Sequence, residues 1–355
     1  MRKGKRLIAW IMAVVMLFTI CVFGGNGTAE AAATTPVAKH GRLSVKGADL
    51  VDSKENKFQL RGISTHGINW DVGSPYVNKK AFKTLRDDWG VNAIRLAMYT
   101  EEYNGYCSGG SQAKLRKLVD KGVGYATDLG MYAIIDWHIL SDGNPNKNKS
   151  QAKKFFTTMA KKYKNNKNVI YEICNEPNGC SWKEIKSYAT DIIKTIRKYD
   201  KKAVIIVGTP TWSQLGTDGT SNEVADSPIK GYKNIMYTLH FYAATHGQAH
   251  NEYLPAKVAY ARKKKLPIIV SEFGLSPASG DGAINKASAD KWMKLLNKYN
   301  ISYFCWSLSN KNESASLLKP STKKTSGWKS GDLSTAGKYI KKKYLARKKA
   351  LGKKA

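Results

Sequence analysis

The chain has 355 residues with 42% hydrophobic and 10% aromatic side chains, enough for a sizeable core, which excludes a disordered or collagen-like chain. Five cysteines in that length exclude a small disulfide-stapled scaffold. Lys and Arg number 59 against 27 Asp and Glu, a formal +32, so the protein presents a basic surface to any partner.

The first element is a leader. Arg2, Lys3, Lys5 and Arg6 precede an apolar run from Leu7 to Phe23, and Ala29-Glu30-Ala31 and Ala31-Ala32-Ala33 each offer an A-x-A cleavage pattern. Residues 1–33 read as a secretory signal peptide. The competing reading, an uncleaved anchor, relies on a run at the lower limit of what spans a bilayer. After the leader no apolar run is long enough to span, so no membrane association is expected once it is removed. Residues 34–350 then form one domain and 351–355 a basic tail.

Arg42–Leu60 alternates apolar and polar residues around Gly47 and Asp52-Ser53, the pattern of a short hairpin. Eight apolar, β-branched runs follow. They begin near Gln59, Val91, Met131, Val169, Ala203, Ile235, Pro267 and Ser302, 32 to 40 residues apart. Between most of them apolar residues recur every three or four positions, as in Gln112–Leu129, Trp182–Tyr199 and Ala287–Tyr299. Strands alternating with helices imply parallel βαβ units, and eight of them match an α/β fold of the (β/α)8 TIM-barrel type. The hairpin would close the barrel's N-terminal end. An open doubly wound sheet is less apt, because no G-x-G-x-x-G follows the first run.

In such barrels the chemistry sits at the C-terminal ends of the strands. Those ends hold His66 and Trp70, Arg95 and Tyr99, Asp136 and His138, Asn175 and Glu176, Trp212, His240 and Tyr242, Glu272, and Trp306. Glu176 in Asn-Glu-Pro and Glu272 in Ser-Glu-Phe-Gly each follow a strongly apolar run, where an unpaired carboxylate is costly. Either alone reads equally well as a buried salt-bridge partner. Together, on strands 4 and 7, they suggest the paired carboxylates of glycoside hydrolysis.

At this point the mature chain resembles glycoside hydrolase family 5, in particular its bacterial secreted endo-1,4-β-glucanases. The likeness runs from Arg61-Gly62-Ile63-Ser64-Thr65-His66-Gly67 to Trp306-Ser307-Leu308-Ser309-Asn310-Lys311. It implies a retaining mechanism in which Glu176 is the acid/base and Glu272 the nucleophile. It also implies that Arg95 and Tyr242 support Glu272, that Asn175 binds the sugar 2-OH, that His240 sits beside Glu176 and tunes its proton affinity, and that His138 lines the same subsite. For substrate binding it implies Trp306 as the platform at the cleavage site. Trp70, Tyr99 and His66 would lie on the glycone side, Lys311, Glu313 and the Ala278 backbone two units from the cut, and Trp212 on the aglycone side.

Plainer roles are expected elsewhere. Trp137 and Tyr132 read as packing against helices. Glu172 should lie deeper in the barrel, paired with a basic group. Asp136 reads equally as an orienting group or a structural acceptor. Cys107 and Cys180 lie in loop sequence and are candidates for a disulfide that sequence alone does not fix. Cys174 and Cys305 read as buried thiols.

Neither a cofactor nor a metal is expected, since the first strand offers one histidine where a metal-dependent barrel hydrolase needs His-x-His. The expected partner is β-glucan, with mannan, xylan, xyloglucan or mixed-linkage β-glucan as the alternatives. Nucleic acid is not expected for an exported protein, and the chain should be monomeric. From Lys319 to Ala355 there are 13 Lys and Arg against one acid. That surplus reads as a solubilising surface or, more sharply, as electrostatic attachment to anionic cell-envelope polymers.

Overall fold

The computed structural model describes residues 35–246 and 253–352, so the expected leader and the last three residues of the expected tail lie outside the described residues. Eight strands form one closed, all-parallel barrel: β1 (Arg61–Thr65), β2 (Ala93–Tyr99), β3 (Tyr132–His138), β4 (Val169–Glu172), β5 (Ile205–Val207), β6 (Ile235–Tyr242), β7 (Ile268–Gly274) and β8 (Tyr303–Leu308). Each pairs with the next, and β8 returns to β1. The strands begin within two residues of the expected runs. Outside lie α1 (Lys79–Trp89), α2 (Gln112–Asp128), α3 (Lys149–Tyr163), α4 (Trp182–Arg197), α5 (Tyr253–Lys263), α6 (Lys286–Lys298) and α7 (Thr335–Gly352). The last helix passes the expected domain end at residue 350 by two residues. Between β5 and β6 only two one-turn helices, Pro210–Ser213 and Glu223–Asp226, are formed.

The helices follow from local signals. In α4, Ser181 and Glu184 form a reciprocal capping box, and Ile185, Tyr188, Ala189, Ile192 and Ile196 recur on one buried face. Each fully buried isoleucine there contributes about 1.5–3 kcal/mol.

Alternation along the strands sorts side chains into two cores. On β3, Ala133, Ile135 and Trp137 face the helices, and Trp137 packs on Phe155 and Phe156 of α3, as expected. Tyr132 does not join them. It starts the inward-facing set, packs on Phe58 and donates its hydroxyl to Gly41 O at 2.7 Å. The two residues are five apart, so period two sends them to opposite faces.

The barrel's N-terminal mouth is plugged by the expected hairpin. Ser44–Lys46 pairs antiparallel with Asp49–Val51 around Gly47, whose φ of 59° suits a residue without Cβ. Leu43, Leu50, Phe58 and Leu60 meet the inward-facing Ala93, Ile134, Ile170, Ile206 and Phe304.

One irregularity positions the chemistry. On β7 the register slips against both neighbours: Thr238 pairs with Ile269 but His240 with Glu272, and Tyr303 pairs with Val270 but Cys305 with Phe273. The extra residue is a β-bulge. It lets Ser271 and Glu272 both reach inward, where strict alternation would send one to the helices. Cys174 and Cys305 are buried thiols, and Cys107 and Cys180 are unpaired. No helix among the described residues is long and apolar enough to cross a membrane.

Candidate active site

Above the apolar plug the barrel interior turns ionic. Arg95, fully buried on β2, donates Nε to Glu172 at 2.7 Å, Nη1 to Glu272 at 2.9 Å and Nη2 to Asn175 Oδ1 at 2.6 Å. Asp136 lies 3.1 Å from the same Nη2. Glu172 thus has the basic partner expected of it. One guanidinium holds three carboxylates, and its five donors in a rigid fork suit that task where an ammonium would not. Burial still wins at two of them: Asp136 is pushed up to about 7 and Glu172 also upward, against the pull of Arg95.

Glu272 lies across the bulge from His240 and is held at both oxygens. Tyr242 donates its hydroxyl to Oε1 at 2.6 Å and Arg95 takes Oε2. Two charge-assisted donors, one of them a cation, fix that carboxylate in direction. Glu176 sits differently. Its Oε1 meets His240 Nδ1 at 2.8 Å, and burial pushes its carboxyl up to about 8, with Asp136 and Glu172 adding to the rise. Of two carboxyls a few ångströms apart, Glu272 is held by an arginine and a tyrosine while burial favours the protonated form of Glu176.

The imidazoles are fixed as well. Asn175 Nδ2 donates toward His138 Nε2 at 3.2 Å, which leaves His138 Nδ1–H for Asp136 Oδ2 at 2.6 Å. Asp136 therefore orients the site. Burial lowers His138 to about 3 and His240 to about 4, so both rings are neutral near pH 7.

These groups floor a cleft of about 610 Å³. Of the expected site residues, all line it except Arg95 and Asn175, which lie behind the wall with no exposed surface. Asn175 has its amide fully engaged in the free enzyme, with Arg95 on one side and His138 and Ile139 O on the other. It serves there as a brace; to reach a 2-OH it must release His138. Trp306 is 6% exposed, stacks on His138 with centroids 5.3 Å apart, and lies 5.1 Å from His66. Trp70 packs on Tyr99 at 4.5 Å. Lys311 Nζ contacts Glu313 Oε2 at 2.5 Å, and Glu313 Oε1 lies 3.7 Å from His66 Nε2. Ala278 gives its N–H to Thr245 Oγ1 at 2.9 Å. Trp212 is 45% exposed.

Sequence reading missed several cleft residues, among them Glu102, Leu140, Gln214 and His246. They come from loops, where no strand-end rule applies. Only His246, four residues after Tyr242, carried a signal in its type.

Glu176, His240 and Glu272 each offer one ligand atom, all within 4.8 Å of one another, and among the described residues are the group that could hold a cation. Arg95 already occupies the electrostatic place such an ion would take at Glu272. The arrangement as built suits proton transfer from one carboxyl and attack by the other.

Comparison with known proteins places the chain in a family. Among curated relatives, an endoglucanase of Clostridium saccharobutylicum is 47% identical over 95% of this chain and 72% of its own length. Endoglucanase A of Butyrivibrio fibrisolvens is 46% identical over 85% of this chain and 68% of its own. The catalytic domain of Thermobifida fusca endoglucanase Cel5A, solved in complex with cellotetraose, superposes with a TM-score of 0.80 at 37% identity, covering 88% of this chain and all of that one. A family model described as cellulase (glycosyl hydrolase family 5) matches residues 51–312. With the barrel, the two strand-end glutamates and this match in agreement, the chain belongs to the cellulase family, glycosyl hydrolase family 5.

Proposed function

We propose that this glycoside hydrolase is an exported endo-1,4-β-glucanase that cleaves internal bonds of cellulose and related β-glucans with retention of configuration. The observation that carries the reading is the spacing of the two carboxyls: oxygens of Glu176 and Glu272 approach within 4.8 Å. Retaining pairs stand roughly 5–5.5 Å apart, whereas inversion needs ~6.5–9.5 Å to seat a water. Endoglucanase relatives that match most of the chain support the substrate.

In the first step Glu176 gives its proton to the glycosidic oxygen as the C1–O bond breaks, and an oxygen of Glu272 bonds to C1. In the second, Glu176, now a carboxylate, takes a proton from water as that water displaces Glu272. His240 Nδ1, 2.8 Å from Glu176 Oε1, fixes the direction of that carboxyl beside the cleft. Arg95 and Tyr242 hold the two oxygens of Glu272 and aim the carboxyl at C1. Trp306 offers an indole to the apolar face of the sugar.

Export is supported by the basic start, apolar run and A-x-A sites of residues 1–33. The released enzyme is a monomer whose basic surface associates electrostatically with anionic envelope polymers.

The test is a reducing-sugar assay on carboxymethylcellulose, mixed-linkage β-glucan, xyloglucan, mannan and xylan, with viscosity followed in parallel. Rapid loss of viscosity on the β-1,4-glucan is expected. Release from mannan or xylan alone would reject the substrate. N-terminal sequencing of protein from the medium should begin after Ala31 or Ala33; a leader still attached would reject export by cleavage.

A further inference from the structure

The segment after β5 carries Trp212 in an unusual backbone. Thr211, Trp212, Ser213 and Leu215 all have φ between 51° and 64°, the left-handed region that side chains with Cβ disfavour. Such a run persists only where surrounding contacts over-determine it. On the cleft side, Trp212 N–H donates to Pro177 O at 3.0 Å, and Gln214 Nε2 lies 3.3 Å from His246 Nε2. Behind the segment stands α5.

The contact from α5 is Lys257. It is 3% exposed, although lysine is almost never fully buried unless paired. Its ammonium donates to two main-chain carbonyls, Gln214 O at 3.3 Å and Asp218 O. It lies 5.6 Å from the ring centroid of Tyr253, whose hydroxyl donates to Gln214 Oε1 at 3.0 Å. It makes no ion pair with a carboxylate among the described residues. Gly216 passes close enough that a Cβ there would come 2.9 Å from Nζ. A desolvated charge spent on carbonyls of one short loop is a costly arrangement if the loop has no need to be held.

We infer that Lys257 is a positioning residue for the aglycone side of the cleft: it clamps the 211–218 loop from behind and so sets where Trp212 meets the departing half of the glucan chain. The inference rests on the endoglucanase reading and on Trp212 lying beyond the cleavage point. Lys257 touches no substrate. The clamp acts on one edge of the cleft, so it should govern binding of sugars beyond the cut and leave the carboxyl chemistry alone.

Lys257→Met is tested with two substrates, cellopentaose and β-cellobiosyl fluoride, whose leaving group is no sugar. The expected result is a roughly tenfold rise in KM for cellopentaose with kcat/KM for the fluoride unchanged. Trp212→Ala should raise KM similarly, and the double variant should be no worse than Trp212→Ala alone, since a clamp without its cargo has nothing to position. Equal losses on both substrates, additive effects in the double variant, or an unchanged KM for cellopentaose would each overturn the inference. If Lys257→Met does not fold, Lys257→Gln, which keeps one donor, should give an intermediate KM split; a loss common to both substrates would again reject it. Wild-type enzyme that cleaves the fluoride but not cellopentaose would count against the endoglucanase reading itself, and this inference with it.

Discussion

His240 presents Nδ1 to Glu176 Oε1 at 2.8 Å while its Nε2 lies 2.8 Å from Ser271 Oγ. Ser271 in turn donates its only hydroxyl proton to Glu172 Oε1 at 2.6 Å, so it can only accept from His240. The imidazole proton is therefore on Nε2, Nδ1 is an acceptor, and Glu176 must bring the proton to their shared bond. With burial holding Glu176 at about 8, the acid is charged with its proton below that pH and loses it above. The alkaline limb of kcat/KM should lie near pH 8. Ser271→Ala frees His240 to adopt the other tautomer and donate to ionised Glu176, which favours the carboxylate. The limb should then move down by roughly one pH unit. An unmoved limb would show that Ser271 does not set the tautomer.

The two glutamates have separable losses. Glu272→Gly should abolish turnover and recover part of it with azide, giving a glycosyl azide of the opposite anomeric configuration to the normal product. The first hydrolysis product of the wild type should be the β anomer by NMR. An α product, or an inactive Glu272→Gly that azide does not rescue, would exchange or remove the assigned roles.

Arg95 compensates three buried carboxylates at 2.7 to 3.1 Å. Arg95→Met should cost about 3–5 kcal/mol at neutral pH, the range for stranding a buried charge. The sign with pH follows from the direction of the shifts. Asp136 and Glu172 are already raised with the arginine present and rise further without it. A raised carboxyl is stable as the neutral acid below its unfolded value and loses that stability as pH climbs through the folded one. Urea unfolding should accordingly show a smaller deficit near pH 5 than at pH 8. A constant deficit would mean that packing, not charge, is what Arg95 supplies.

The basic surface makes a claim about ionic strength. Lys338, Lys342, Lys348 and Lys349 are exposed on α7, and screening shortens their reach to roughly 8 Å at physiological salt. kcat/KM on carboxymethylcellulose should fall between low and ~0.5 M salt, while cleavage of a neutral cello-oligosaccharide barely changes. Equal salt dependence on both would leave the lysines as solubilising groups.

Much of the barrel was legible because period and punctuation agree: eight apolar runs at regular intervals dictate eight buried strands. Alternation is legible too, yet Tyr132 reads as a helix-side residue with Trp137 when residue type is weighed before parity. The bulge on β7 was invisible, since Ile-Ile-Val-Ser-Glu-Phe-Gly reads equally well without it; it emerges only from pairing with both neighbours. Glu176 and Glu272 stood out as acids after apolar runs. Gln214, Glu102 and the Lys257 clamp did not, because loop geometry decides what they face and no local pattern encodes it.

The partners of Arg95 have a consequence for how the molecule comes together. They belong to β3, β4 and β7, with the Arg95 guanidinium on β2 also 3.4 Å from Ser64 of β1. Those to Glu172 on β4 and Glu272 on β7 reach past the neighbouring strands and across the ring. A fragment ending after β4 would present the guanidinium with Asp136 and Glu172 on an open, wetted edge, and the apolar plug below would have lost half its walls. No subset of strands has the finished interior's reward, so closure is an all-or-none event and the protein should not divide into independently folding halves. By the same reasoning the order in which strands are joined matters less than their number. Moving the termini to another loop keeps every one of these contacts, and deleting the unit that carries β3, β4 or β7 takes a carboxylate away from Arg95.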